Sequence, residues 1–249
     1  MKKLRFYFDK AASTYEVAST IQKKVATDLL NMIEEKHYPN VIEIGSGGGF
    51  LTKLLTKRIT FEKFFHIDIS FELLKRLKSN FDKRHFLINA QAEKMPFRKG
   101  VADLIVSSST LHWLENQEES FSPLFETLKK DGKFYFSLFT SKTLKEFKEV
   151  CLTSGFGSYY PLKEVSFYLG ILKKLELNFY YEVKIYTEKY ADPKELLLSL
   201  KLTGTNYTLN KKFSGKNSFL NFCKLYKEKF GNFKGIYATY EVLFIKGQK

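Results

Sequence analysis

The stretch Val41-Ile42-Glu43-Ile44-Gly45-Ser46-Gly47-Gly48-Gly49-Phe50-Leu51 decides how the rest of the chain is read. A short apolar run stops at glycine, and an apolar-periodic segment (Phe50, Leu51, Leu54, Leu55) follows. That order spells strand, tight turn, helix. Glycine lacks a Cβ and tolerates positive φ, so such a turn can approach a ligand closely. The helix N-terminus behind it offers free N–H groups and the positive end of a dipole. A dinucleotide fingerprint would need its third glycine at position 50, where Phe50 stands. The spacing is instead Gly45-x-Gly47-x-Gly49, with Glu43 two residues ahead of it.

The same rhythm continues on both sides. Val17, Ile21, Val25, Leu29, Leu30 and Ile33 recur at helical spacing before the loop. After it, Phe64-Phe65-His66-Ile67 ends at Asp68, and Phe71, Leu73, Leu74 and Leu77 predict a helix. Phe86-Leu87-Ile88 and Leu104-Ile105-Val106 predict two more strands, the second opened by Asp103. A helix through Phe121, Leu124, Phe125 and Leu128 leads by the turn Asp131-Gly132 to a strand from Phe134 to Phe139. Strands alternating with helices predict βα units and a mostly parallel sheet, an α/β fold. Beyond residue 140 the rhythm loosens: helices over about 142–153, 163–174, 195–202 and 218–230 interrupt two long strands, 179–186 and 236–245. The chain therefore reads as one domain, 1–249. A cofactor-binding core with an N-terminal helix fills 1–140, and helical insertions with the last two strands fill 141–249.

Composition excludes several classes. Hydrophobic residues make up 44% and aromatics 16%, enough for a sizeable core and too many for a disordered chain. No apolar run approaches the roughly 18 residues that span a membrane. Arg5 and Asp9 break the only candidate signal segment. Cys151 and Cys223 form no disulfide framework and no metal spacing, which predicts a reduced, cytoplasmic protein with no metal. Lys+Arg number 41 against 27 Asp+Glu, a net charge of +14. Residues 1–125 carry 19 basic and 15 acidic side chains, whereas residues 126–249 carry 22 and 12. Such an excess suggests nucleic acid at first. Only five of the basic residues are Arg, however, all of them before residue 99. Arg is the bidentate reader of phosphate and guanine, so an acidic protein partner or a plain solvated surface fits better.

The glycine loop, Asp68 and Gln91-Ala92-Glu93-Lys94-Met95-Pro96-Phe97 together resemble the class I S-adenosylmethionine (SAM) methyltransferases. The resemblance implies a Rossmann-like, doubly wound, seven-stranded sheet with SAM as cofactor. It assigns Glu43, Gly45, Ser46, Gly47, Gly49, Asp68, Ile69, Gln91, Ala92 and Ser107 to cofactor binding. Asp68 would accept from both ribose hydroxyls. Gln91 replaces the usual Asp beside the adenine, where its amide oxygen can still accept without the charge.

The acceptor side narrows the resemblance. The segment Ser107-Ser108-Ser109-Thr110-Leu111-His112-Trp113 contains no Pro-Pro, which argues against amide and adenine N-methylation. Neither cysteine follows a proline, as cytosine-C5 chemistry requires. Phe8 to Glu16 with Ile21-Gln22, the segment Ser107 to Trp113, Leu197 to Asn206 and Tyr240-Glu241-Val242 resemble malonyl-acyl-carrier-protein O-methyltransferases of biotin synthesis. Ser108 then stands for the family's Asn and His112 for its Gln. The resemblance implies methylation of the free carboxylate of malonyl-phosphopantetheine on acyl carrier protein, an acidic partner. Methylation removes the charge, and an elongation system could then extend the product. Tyr15, His112, Trp113 and Lys201 would serve the acceptor side. Tyr15 would close over the transfer site, His112 and Trp113 would wall it, and Lys201 would meet phosphate or carrier. The alternatives are methylation of another small carboxylate or quinone precursor, of RNA, or SAM binding without catalysis.

Overall fold

A computed structural model describes residues 2–78, 82–209 and 215–249. The chain opens with three helices, α1 (Lys2–Ala11), α2 (Tyr15–Ala18) and α3 (Thr20–Met32). Five βα-type strands follow, β1 (Asn40–Ile44), β2 (Lys63–Asp68), β3 (His85–Asn89), β4 (Ala102–Ser108) and β5 (Leu128–Phe139). Between them lie α4 (Phe50–Leu55), α5 (Phe71–Lys78) and α6 (Gln117–Thr127). Then come α7 (Lys145–Ser154), α8 (Val165–Lys174), β6 (Asn178–Tyr190), α9 (Pro193–Leu202), α10 (Lys216–Phe230), β7 (Gly231–Asn232) and β8 (Gly235–Gln248).

The strands form one sheet in the order β3-β2-β1-β4-β5-β8-β6, and the two-residue β7 pairs with β8. β1 to β5 run parallel, while β8 is antiparallel to both β5 and β6. This is the mostly parallel, doubly wound sheet that the alternating pattern predicts, with the short β7 added. Apolar clusters cover both faces. One packs Val25, Leu29, Val41, Leu55 and Phe222 under α3, α4 and α10. The other packs Ile42, Ile44, Phe121, Phe136 and Tyr168 under α6 and α8. Each such buried side chain contributes about 1.5–3 kcal/mol.

Three local readings change. The segment 2–11, left without structure by the periodicity argument, is helical: Leu4 and Ala11 are its buried positions. Val17, expected on a core face, is 84% exposed on α2. The Asp131-Gly132 turn lies within β5 as an irregularity, with Asp131 at φ 65°.

Topology places the site. β1 is flanked by β2 on one side and β4 on the other, so the winding direction reverses between β1 and β4. Ligands of open α/β sheets bind at such a switch point, outside the carboxyl ends of the strands. Gly45, Asp68 and Ser109 are the residues that sit at those ends.

Candidate active site

The glycine loop is built from three left-handed glycines, Gly45, Gly47 and Gly49, at φ 72°, 53° and 78°. A Cβ on Gly45 would come within 2.0 Å of Thr110 Oγ1, so the segment after β4 lies directly on the loop. A Cβ on Gly49 would meet Leu77 Cδ1 at 2.1 Å. Gly47 is open toward Tyr15, whose ring would lie 3.5 Å away. The loop is thus closed around by α5, by Thr110 and by Tyr15.

Asp68 ends β2 beside the loop. Its carboxylate accepts from the N–H of Gly47 and of Ser70, both at 2.8 Å. Burial pushes its pKa up to about 6 against these two hydrogen bonds, with Glu43 and Asp9 adding to the rise. Ser70 takes the helix-capping role, its Oγ accepting from Leu73 N–H at 3.2 Å. Glu43 is committed inward: it accepts from Thr52 Oγ1 at 2.5 Å and contacts His66 Nδ1 at 3.2 Å. His66 Nε2 in turn meets His85 Nδ1 at 2.9 Å, a buried relay bracing the underside of the loop. Ser107 donates to Ile44 O at 2.9 Å and ties β4 to β1. Asp103 accepts from Asn40 N–H at 2.9 Å and pairs with Lys129, holding the strand entry.

Three hollows that share Tyr15 as a wall lie at this end of the sheet. The largest is a cavity of about 690 Å³, within the range of about 300–1,000 Å³ of small-molecule sites. Its walls include Tyr15, His112, Trp113, Phe139, Tyr160 and Tyr207. A narrower cleft of about 60 Å³ runs between Phe8, Gly45, Asp68, Ile69, Ala92 and Trp113. A third, about 40 Å³, lies between Gln22, Glu43, Ser46, Gly47 and Ser108. Tyr15 borders all three hollows. Burial, then the Asp68 charge, pushes its phenol well above the ordinary tyrosine value, so it stays a neutral donor.

The aromatic wall comes from distant segments. Trp113 makes edge contacts with Phe8 of α1 at 6.0 Å and packs against Tyr160 at 4.7 Å. Tyr207 contacts Trp113, Tyr160 and Tyr7. His112 is 2% exposed, and its Nδ1 accepts the Phe139 N–H at 3.4 Å. That acceptance leaves the proton on Nε2. Burial lowers its pKa to about 3, so the ring stays neutral.

The sequence-predicted residues divide accordingly. Gly45, Gly47, Asp68, Ile69 and Ala92 converge on the cleft of about 60 Å³, and Ser46 and Glu43 on the third hollow. Tyr15, His112 and Trp113 meet at the large cavity. Gly49 shapes the loop from behind, and Gln91 and Ser107 border none of the three hollows. Lys201 is exposed on α9 outside the cavity, although its neighbours Ser199 and Leu200 line it. Sequence reasoning passed over Phe8, Ser109, Lys148 and Tyr160. Lys148 lines the cavity, gives its Nζ to Ser141 O, and has its pKa lowered by burial.

These residues fit SAM: a glycine turn left open for close approach at Gly47 and Gly48, a buried acid at the end of β2, and partnerless buried oxygens on Ser46, Ser109 and Gln22. Residues 42–136 match the family described as "Methyltransferase domain". A malonyl-[acyl-carrier protein] O-methyltransferase of Neorickettsia risticii is 30% identical over 245 residues, covering 95% of this chain and 92% of that protein. One from Calditerrivibrio nitroreducens is 29% identical over 240 residues, with the same coverages of 95% and 92%. The solved structure of phosphoethanolamine N-methyltransferase 2 of Haemonchus contortus with S-adenosyl-L-methionine superposes with a TM-score of 0.59. It is 18% identical and aligns with 97% of this chain and 57% of its own. Among the described residues no cluster of three or more metal-ligating side chains occurs, and no helix is long and apolar enough to cross a membrane. The fold, the cofactor site and the near-complete alignment agree: the chain belongs to the malonyl-[acyl-carrier protein] O-methyltransferase family of SAM-dependent methyltransferases.

Proposed function

We propose that this chain methylates the free carboxylate of a malonyl thioester carried by acyl carrier protein, in the start of biotin synthesis. One observation carries the reading: among the described residues that line the cavity, each group able to take a proton is held neutral or already engaged, including Lys148, whose lowered pKa makes it a candidate but whose Nζ is given to Ser141 O. His112 is buried, neutral and of pKa about 3, and Tyr15 is held protonated. Glu188 and Glu195, the carboxylates on the cavity wall, are engaged by Lys24 and by the Ala191 N–H. An alcohol, amine or phenol acceptor would need a proton removed. A carboxylate, with a pKa of about 4, is already ionised at neutral pH. Catalysis then reduces to holding two reactants in line, worth about 7–11 kcal/mol in favourable cases.

Gly45, Gly47 and Asp68 would hold the adenosine side of SAM, and Ser46 and Gln22 its amino-acid end. When bound, SAM supplies a methyl group on a positively charged sulfur. The chain's own residues do the rest. Tyr15 and Trp113 close the seam between cleft and cavity and exclude water that would compete for the methyl group. Tyr160 and Tyr207 give the thioester arm an apolar wall.

Incubation with methyl-labelled SAM and malonyl-carrier protein, with mass spectrometry of the acyl group, tests the reading. The expected product is the malonyl thioester plus one methyl. Turnover of a quinone precursor or of RNA, with malonyl thioesters left untouched, would overturn it.

A further inference from the structure

Among the described residues, the buried side-chain oxygens with no hydrogen-bond partner include Gln22 Oε1, Ser46 Oγ and Ser109 Oγ. Leaving such an atom dry costs about 1–3 kcal/mol, so one that borders a hollow gains by meeting a ligand atom. Their chemistry differs. Gln22 borders the large cavity, but its unpartnered atom is the carbonyl oxygen, which accepts and does not donate. Ser46 borders only the third cleft. Ser109 alone of the three borders both the large cavity and the narrower cleft, and its hydroxyl can donate.

The backbone supports the same assignment. Ser109 sits one residue past β4 at φ 54°, the left-handed region that a side chain enters at a cost of about 1–2 kcal/mol. The position is fixed: its N–H donates to Ser137 O at 2.9 Å and reaches Ser137 Oγ at 3.3 Å. Ser137 Oγ in turn donates to Ser108 Oγ at 3.2 Å. Strain of this kind, held by neighbouring strands, gathers where a side chain must be aimed. Ser107, two residues back, has the same chemistry but gives its hydroxyl to Ile44 O.

We propose that the Ser109 hydroxyl donates to the acceptor carboxylate, on the oxygen that does not attack. The inference rests on the carboxylate reading above and names the group that orients it. The attacking oxygen forms the new O–CH3 bond as the S–CH3 bond breaks, and that electron pair goes to sulfur. No proton moves, so Ser109 keeps its own throughout. A neutral donor suits this task better than an ammonium, which would withdraw charge from the nucleophile. Lys148, on the same cavity wall, gives its Nζ to Ser141 O.

The test uses the full chain with malonyl-carrier protein as substrate and acetyl-carrier protein, which lacks the carboxylate, as inhibitor. Ser109→Ala should raise KM for the malonyl substrate about tenfold or more, the worth of a hydrogen bond to a charged group. SAM affinity and the acetyl inhibition constant should stay within about twofold. Ser109→Asn, at ease in the left-handed region and donating through its amide, should recover part of the loss. An unchanged KM in a folded Ser109→Ala variant overturns the inference while leaving the proposed function standing. A fall in SAM affinity matching the loss also overturns it, because the hydroxyl would then serve the cofactor. A wild-type protein inert toward malonyl thioesters overturns the proposed function, and this inference with it.

Discussion

Asp68 is asked to be two things at once, a buried acid and a hydrogen-bond acceptor. Its pKa of about 6 follows from burial winning over two backbone donors. Because the folded value lies above the unfolded one, protonation favours the folded state. That contribution is complete below the unfolded pKa of 3.8 and lost as pH rises through about 6. At neutral pH the ionised carboxylate therefore opposes stability, and on the proposed function its return is ligand binding. SAM affinity should fall roughly tenfold per pH unit below about 6, as the acid takes up the proton that ribose donors must displace. Calorimetric titration between pH 5 and 8 reads this directly. Asp68→Ala should weaken SAM binding by about 1.5–3 kcal/mol and flatten the pH profile. A flat profile in the wild type would remove Asp68 from the ribose. At this scale the sequence places the residues the structure brings to the hollows but not always the direction of their side chains. Asp68 and Tyr15 were legible because strand ends and the helix start fix them. Glu43 was expected at the cofactor and is spent on Thr52 and His66, because strand pairing sets Glu43 opposite His66. Ser107 and Ser109 are the same letter in one run, and only the point where β4 ends separates an inter-strand tie from a cavity donor.

The elements around the loop make sharper tests than single contacts. Gly45→Ala would press a methyl into Thr110 at 2.0 Å and force a side chain to φ 72°. Loss of about 2–5 kcal/mol in stability, with SAM binding lost, is expected. Gly48, with no atom within 4 Å of a built Cβ, should accept Ala within about 0.5 kcal/mol. Denaturant titration of the pair separates a required backbone shape from mere glycine content. The N-terminal strap forms a second such element. α1 and α2 lie over the cofactor side, tied by Ser70 Oγ donating to Asp9 at 2.7 Å and Thr14 Oγ1 donating to Leu202 O at 2.7 Å. The cleft beneath, about 60 Å³, is small beside the roughly 300–1,000 Å³ of ligand sites, so α1 should shift if the cofactor enters there. Trp113, the chain's single tryptophan, touches Phe8 of this strap and reports its motion. Thr14→Val should speed the fluorescence change on SAM mixing several-fold in stopped flow. An unchanged rate would mean that the cofactor enters elsewhere. The strap helix was hard to foresee because Lys2, Lys3, Arg5 and Lys10 mask its Leu4–Phe8–Ala11 stripe. It is stabilised by docking on α5 and on the β2–α5 turn rather than by its own propensity.

For the whole molecule, the open matter is what the charge of +14 is for. The alternation of strands and helices and the two-faced core were readable because hydrophobic period is a local property. The role of the surface was not, because Lys-rich composition looks the same whether or not a partner covers it. The fold adds position. Lys163, Lys189 and Lys201 are exposed, and each lies on or next to a segment that lines the large cavity: Leu162, Tyr190 and Leu200 are wall residues. Lys184 and Lys229, by contrast, already pair with carboxylates of the same chain. A carrier protein of acidic surface, delivering its arm into the cavity, would meet the first group. Steering of this kind acts on association and is screened by salt over about 8–10 Å. The triple variant Lys163→Glu, Lys189→Glu, Lys201→Glu should therefore raise KM for malonyl-carrier protein about tenfold or more at low salt. The KM for malonyl-CoA, whose small arm needs no protein docking, should change far less. Raising the salt should bring wild type and variant together. Equal effects on both substrates would assign these lysines to the cavity itself, and no effect on either would return the charge to composition alone.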